Sequence, residues 1–296
     1  MRQAWFADDS TMAGVLYVVA TPIGNPDDLS PRAARTLAES DLIACEDTRR
    51  TGRLLAAHRI KTPTISYYEH NEERRTAELI ERLEGGASIA VVTDAGTPAI
   101  SDPGFRLVRA AHKAGIRIAA VPGPSAAIAA LSVAGLPTDR FTFEGFLPSR
   151  DAARRNALEA LVDEPRTMVF FEAARRLAET LDDMTAAFAA DREAAVVREI
   201  TKTHEETARG TLAELARRYQ SEQALGEVTI VVAGASHRAG DSRRPAARAI
   251  TVAMLVDAGL SLKQAAKLVA KLSGESARIV YQRAVKARKS GEDIDL

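Results

Sequence analysis

The sequence predicts an α/β chain with two successive α/β domains, over residues 13–137 and 138–236, and a small all-α, helix-turn-helix-like module over 245–296. Three observations predict it. In the first half, short runs of Val, Ile and Ala alternate with helical patterns, as strands of a parallel sheet buried on both faces do. At 296 residues the chain is long enough for about two domains of roughly 150 residues. Beyond Gly234 the text turns polar and basic, and the last fifty residues read as wholly helical.

The strands expected in the first domain are 15–20, 42–45, 64–67, 89–93 and 116–121. Helices separate them. Ser30-Pro31 supplies an N-cap and a proline at the first helical position for a helix running to about residue 40. The segments 72–83 and 105–113 are followed by Gly85-Gly86 and Gly115, where helices commonly stop. Residues 141–148 read as an edge strand and linker. The second domain then offers strands 167–171, 194–200 and 228–232, with helices 152–162, 175–189 and 212–219.

In the C-terminal module, 249–258 is a helical run stopped by Gly259. Ser261, with Gln264 three residues on, forms a capping box for the next helix. That helix sets Lys263, Lys267 and Lys271 on one face, at i, i+4 and i+8. Residues 276–289 form a third helix carrying Arg278, Arg283, Lys286, Arg288 and Lys289.

Composition excludes several classes. At 46% hydrophobic and 27% charged, the chain has material for a core and is neither disordered nor fibrous. Forty basic residues balance forty acidic ones, yet from His237 onward twelve Lys/Arg face six Asp/Glu. A mildly acidic body with a basic tail points to a polyanionic partner for the tail. The single cysteine, Cys45, rules out a disulfide framework, argues against a Cys-rich zinc site and suits a reducing cytoplasm. No metal ligands are expected. The uncharged stretch 118–138 is divided by Pro122, Gly123, Pro124, Gly135 and Pro137, too short a remainder for the ~20 residues of a membrane helix. The start lacks the apolar core of a signal peptide, and Met12 is an alternative initiator.

Neither a Gly-x-Gly-x-x-Gly turn, a Walker A loop nor a His-Glu-x-x-His helix is present. Instead three strands run into loops of unusual composition: Ala20-Thr-Pro-Ile-Gly-Asn25, Asp94-Ala-Gly-Thr-Pro-Ala-Ile-Ser-Asp-Pro-Gly104 and Pro122-Gly-Pro-Ser-Ala-Ala127. Loops at the carboxyl ends of parallel strands are where such sheets bind ligands, and glycines there let a ligand approach the backbone. One such loop can merely turn the chain; three in one domain favour a cleft. Glu46-Asp47-Thr48-Arg49, Glu69-His70-Asn71-Glu72, Gly135-Leu-Pro-Thr-Asp-Arg-Phe141, Glu144-Gly-Phe-Leu-Pro148, Lys202-Thr-His-Glu-Glu206 and Arg209-Gly-Thr211 complete an ordered set.

As a set, over about 16–233, these motifs resemble those of the tetrapyrrole methylase superfamily, and within it the bacterial 16S rRNA (cytidine 2′-O)-methyltransferases. The resemblance implies two α/β domains of tetrapyrrole-methylase type with the cofactor cleft between them, and S-adenosyl-L-methionine as cofactor. It implies cofactor contacts from Pro22, Asp94, Ala95, Gly96, Thr97, Pro98, Ser101, Ser125, Ala126, Phe171 and Glu172. It implies 2′-O-methylation of a cytidine in 16S rRNA of the small ribosomal subunit, by a cytoplasmic homodimer. One departure stands out: a Tyr-Glu pair followed by Pro or His is usual in the family, and here the text is Phe171-Glu-Ala-Ala-Arg-Arg176.

A ribose hydroxyl is a poor nucleophile unless a group helps remove its proton, while the methyl donor needs positioning for in-line attack. Asp47, His70 and Lys202 are the candidates for that assistance, each with a bland alternative: a surface ion pair, an exposed loop histidine, a structural lysine. Arg49, with Lys263, Lys267, Lys271, Arg278 and Arg283, is the candidate RNA contact set. Two other readings remain open on the sequence. A methylase of a small tetrapyrrole ring would leave the basic module without a purpose, and a non-catalytic nucleic-acid-binding regulator would leave the cleft loops without one.

Overall fold

The computed structural model describes residues 14–235, 252–257, 259–273 and 276–290. Met12, residues 236–251 with the polar linker, and the side chains of Lys286, Arg288 and Lys289 lie outside what it describes. Both sheets belong to one compact unit, Met1–Ser236, and the C-terminal helices to a second, His237–Leu296.

The first half runs β1 (Val15–Val19), α1 (Pro31–Glu39), β2 (Leu42–Cys45), α2 (Thr48–Ala57), β3 (Thr64–Ser66), α3 (Glu72–Glu84), β4 (Ile89–Val92), α4 (Phe105–Lys113), β5 (Arg117–Val121) and α5 (Ala126–Val133). Its sheet has the order β3-β2-β4-β1-β5, and every pairing is parallel. Neighbours in β2 point to opposite faces. Leu42 and Ala44 pack with Leu79, Leu83 and Leu107 of α3 and α4, whereas Ile43 and Cys45 pack with Leu37 and Leu55 of α1 and α2. Helices on both faces are what make the β2 and β4 runs apolar without alternation. Ser30 caps α1 by accepting the Ala33 N–H at 3.0 Å.

The second half runs β6 (Phe141–Phe146), α6 (Asp151–Glu159), β7 (Thr167–Ala173), α7 (Leu177–Phe188), β8 (Glu193–Arg198), β9 (Glu206–Thr211), α8 (Leu212–Ser221) and β10 (Glu227–Val232). Here the order is β6-β7-β10-β8-β9; only β6 with β7 is parallel. Strand β9 has no counterpart among the sequence expectations. Its only buried residue is Ala208, and Glu206 and Arg209 flank it, so it carries no apolar run; it is a charged edge strand.

One face of this sheet is covered by α6, α7 and α8, with Met168, Phe170, Val196 and Ile230 fully buried against them. Removing each such side chain from water contributes roughly 1.5–3 kcal/mol. The other face, through Val169, Ala195, Val197 and Val231, is covered by Ala127, Ala130 and Leu131 of α5. Helix α5 thus belongs to the first half in sequence and to the second half in packing. Its packed side draws the β5–α5 loop up against the second sheet, while Ile128 and Val133 on its other side stay exposed.

In the other unit, α9 (Val252–Asp257), α10 (Leu262–Ser273) and α11 (Ala277–Ser290) share a core of Val252, Ala265, Ala266, Val269, Ala270, Val280 and Ala284. The expected capping box forms: the Gln264 N–H donates to Ser261 Oγ, and the Ser261 N–H donates to Gln264 Oε1 at 3.1 Å. With Ala266 and Ala270 turned inward, Lys263, Lys267 and Lys271 form an exposed row, and Arg278 and Arg283 are exposed on α11.

Candidate active site

A cavity of about 520 Å³ lies where the two halves of the first unit meet. The β4–α4 loop supplies Ala95, Gly96, Thr97, Ser101 and Asp102, and the start of α5 supplies Ser125 and Ala126. From the second sheet come Phe171 and Glu172 at the end of β7, Arg175 just after it, and residues 226–229 around the start of β10.

Backbone geometry explains why the β4–α4 loop is built of small residues. Gly96 sits at φ +86°, and Ala99 and Ser101 adopt φ of 70° and 60°, a left-handed region costly for residues with a Cβ. The strain is held by bonds at both ends. The Thr21 N–H donates to Gly96 O at 2.9 Å and the Gly96 N–H to Thr21 O at 3.1 Å, while the Ala99 N–H donates to Pro103 O at 3.2 Å. At the far end the buried carboxylate of Glu72 accepts the Gly104 N–H at 3.0 Å and pairs with Arg106 at 3.4 Å. Glu72 comes from the Glu-His-Asn-Glu motif, whose Asn71 also folds its own loop by accepting the Tyr68 N–H at 2.9 Å. Those two members of the motif shape the site.

The aromatic wall consists of Phe171, packed edge-on against Phe143 with centroids 4.9 Å apart, and Phe146 at 5.5 Å. Phe171 carries no hydroxyl and extends an apolar surface. Glu172 is turned inward: its carboxylate accepts from Thr180 Oγ1 at 2.7 Å and from the Ala173 N–H at 2.8 Å, fixing the strand-to-helix turn.

Of the cofactor set expected from sequence, Ala95, Gly96, Thr97, Ser101, Ser125, Ala126, Phe171 and Glu172 line the cavity. Pro22, Asp94 and Pro98 do not. Pro22 precedes the lining residue Ile23. The Asp94 carboxylate accepts the Asp47 N–H at 3.1 Å and pairs with Arg50 at 3.3 Å, so it ties the β4 loop to the start of α2. Burial, and then the charge of Glu46, raises its pKa. Ile100, Asp102, Phe146, Arg175 and Glu227 line the cavity without having been expected. Asp102 lies within a loop that sequence does single out. No local signal marks the β10 residues, because an apolar strand reads as core whichever face meets a cavity.

The three candidates for proton transfer are not brought into one cluster. Asp47 caps α2 through the Arg49 N–H at 2.8 Å and binds the Arg49 side chain through both oxygens, at 3.1 and 2.8 Å. Those bonds hold its pKa far below the usual carboxylate range, which makes it a weak base. Arg49 itself reaches into solvent. Lys202 donates to Glu199 at 2.9 Å and to Glu227 at 3.3 Å; burial opposes its charge, but those carboxylates raise its pKa overall and keep it cationic. It also packs against Gly24, where a Cβ would lie 2.5 Å from Lys202 Cγ and 2.8 Å from Ile200 O. Only glycine allows the β1 loop and the 200–202 segment to meet so closely, and the Asn25 N–H donates to Thr201 Oγ1 across the same contact at 3.0 Å. His70 is exposed, its ring edge-on to Tyr68 at 6.3 Å. Cys45 is buried, which pushes its thiol up to about 11 and leaves it inert.

Residues 15–216 match the family of Tetrapyrrole (Corrin/Porphyrin) Methylases, and residues 245–289 match the RsmI C-terminal HTH domain. The chain is 49% identical to ribosomal RNA small subunit methyltransferase I of Pseudomonas aeruginosa, over 92% of this chain and 97% of that protein. Against the protein of the same name from Xylella fastidiosa the identity is 48%, over 90% and 98%. Among solved structures, uroporphyrin-III C-methyltransferase from Thermus thermophilus, complexed with S-adenosyl homocysteine, shares the fold. The TM-score is 0.51 at 19% identity, over 74% of this chain and 97% of that one. Cleft loops, paired sheets and helical tail all fall within these matches: the chain belongs to the tetrapyrrole methylase family and, within it, to the ribosomal RNA small subunit methyltransferases I.

Proposed function

We propose that this chain transfers a methyl group from S-adenosyl-L-methionine to the 2′-hydroxyl of a cytidine in 16S rRNA of the small ribosomal subunit, in the cytoplasm and as a homodimer. Membership of the family makes it a cofactor-dependent methyltransferase; the acceptor atom, the subunit, the location and the dimer are the finer part of the reading.

The observation that carries the reading is the size and lining of the cavity. About 520 Å³ is within the range of small-molecule sites. Phe146 and Phe171 offer an aromatic wall alongside the small residues of the β4–α4 loop. Such a wall suits a ligand with a planar base. Ala95, Gly96, Thr97, Ser101, Ser125, Ala126 and Phe171 would hold it, with Gly96 allowing close approach to the backbone. When bound, the cofactor supplies an electrophilic methyl group. The protein's own contribution is to hold the acceptor in line with that group and to shield the site from water.

The RNA reading rests on the second unit, where the exposed Lys263, Lys267 and Lys271 row and the exposed Arg278 and Arg283 offer positive charge to phosphates, and on the names of the relatives. A tetrapyrrole substrate gives that unit no role. The test is methyl transfer from isotope-labelled S-adenosyl-L-methionine to unmodified small subunits, followed by nucleoside mass spectrometry. Label in 2′-O-methylcytidine is the expected outcome. Intact cofactor binding with unlabelled RNA would mean a different acceptor.

A further inference from the structure

Asp102 occupies a distinctive place in the cavity wall. It follows Ser101 on the strained loop, two residues before the Gly104 N–H that Glu72 holds, so its backbone is fixed from both sides. Asp102 itself lines the cavity, and at the root of the same loop the Thr93 hydroxyl donates to Glu46 at 3.1 Å. Thr93 is itself anchored, its carbonyl accepting from Thr21 Oγ1 at 3.0 Å. Asp47 and Lys202 are each committed to a partner, whereas no ion pair involving Asp102 occurs among the described residues.

We propose that Asp102 is the catalytic residue that takes the proton from the acceptor hydroxyl, a role that rests on reading the cavity as the methyl-transfer site. In that step the acceptor oxygen bonds to the methyl carbon and the carbon–sulfur bond breaks, with its electron pair staying on sulfur. The hydroxyl proton passes to the Asp102 carboxylate. The charge balances, since a sulfonium and a carboxylate become a neutral thioether and a neutral carboxylic acid.

The surroundings tune the group for this task. Burial, aided by the charges of Glu46 and Asp94 and opposed by the Thr93 hydroxyl, pushes Asp102 up to about 6, near the working pH where a general base is most effective. Charged groups nearby include Arg50, which pairs with Asp94, the Asp47–Arg49 pair beside Asp94, the Glu72–Arg106 pair at Gly104, and Glu172, Arg175 and Glu227 in the cavity lining. A base must be ionised to act, so the rate should rise with pH through about 6 and then level off.

The experiment compares single-turnover methylation of small subunits by the wild-type protein and Asp102→Asn between about pH 5 and 8, with the affinity for S-adenosyl homocysteine measured by calorimetry. Asp102→Asn is expected to lose about 100-fold in rate, the low end of general-base contributions. Its cofactor affinity should stay within about threefold, and it should lose the acidic limb of the profile. A variant rate within about threefold of wild type would overturn the proposal, and so would a rate loss matched by lost cofactor affinity. The wild-type profile tests it without any variant, because absence of an ionisation near 6 in the wild-type rate also rejects it. A wild-type protein that binds cofactor but labels no RNA refutes the RNA reading instead, and the Asp102 role falls with it.

Discussion

The two sheets of the first unit contribute to the cavity in opposite ways. The all-parallel sheet delivers loops: the β4–α4 segment and the start of α5, with φ near +60 to +90° at Gly96, Ala99 and Ser101. The mostly antiparallel sheet delivers the rigid end of β7 and the beginning of β10, with Phe171 and Thr229 paired across them. Parallel strands all end on one side, so their connections converge there and can be elaborated without disturbing the ladder. In the second sheet β7 reaches β8 through α7 and β9 reaches β10 through α8, so the cavity meets strand ends rather than one long loop. The first half therefore contributes the strained β4–α4 loop, and the second supplies a wall.

Breaking the wall's support should cost the most stability. Arg154 on α6 is buried and holds Asp183 of α7 at 2.7 Å and Asp151 at 3.2 Å. Arg154→Met removes one of the two arginines on the Asp183 carboxylate and leaves Arg155 at 3.0 Å, so about 1.5–3 kcal/mol of stability is expected to go, the worth of a lost charged hydrogen bond. Urea unfolding would report it, and cofactor affinity in the folded protein should barely change. Breaking the loop's anchor gives the reverse signature. Glu72→Ala leaves the buried Gly104 N–H without its acceptor, worth about 1–3 kcal/mol, and frees the strained loop. Calorimetry should show weaker cofactor binding, out of proportion to the shift in melting temperature.

The smallest effect is expected at the edge of the second sheet. Thr211 and Glu214 form a reciprocal capping box between β9 and α8, far along the ladder from β7. Thr211→Ala should cost about 1 kcal/mol, the usual value for a lost N-cap, with methylation unchanged. A loss of activity there would show that the second sheet is more than a wall.

Legibility in the sequence follows the same division. The inner strands β2 and β4 are legible because burial on both faces makes each a continuous apolar run, the edge strands β3 and β5 are less buried, and the cleft loops are legible because glycine and proline concentrate where the chain must take unusual φ. Strand β9 is not legible, since an edge strand carrying Glu206 and Arg209 has neither signal. The helix α2, with three arginines and a glycine in Thr48–Ala57, forms because Asp47 caps it and Thr51 and Leu55 are buried, which needs the sheet beneath.

By itself the sequence determined the fold class, the order of the cleft loops, the capped helices of the tail and the family, because each is written in local composition or in motifs of fixed order. Only the tertiary structure decided which side chains are committed elsewhere. The bonds of Asp94 to the Asp47 N–H and of Glu172 to Thr180 are announced by no motif, and Asp102 reads as one more loop residue until the fold sets it in the cavity wall. A carboxylate's chemistry is set by neighbours 50 or more positions away as readily as by adjacent ones, as Glu46 and Asp102 illustrate, and sequence spacing says nothing about such distances in space.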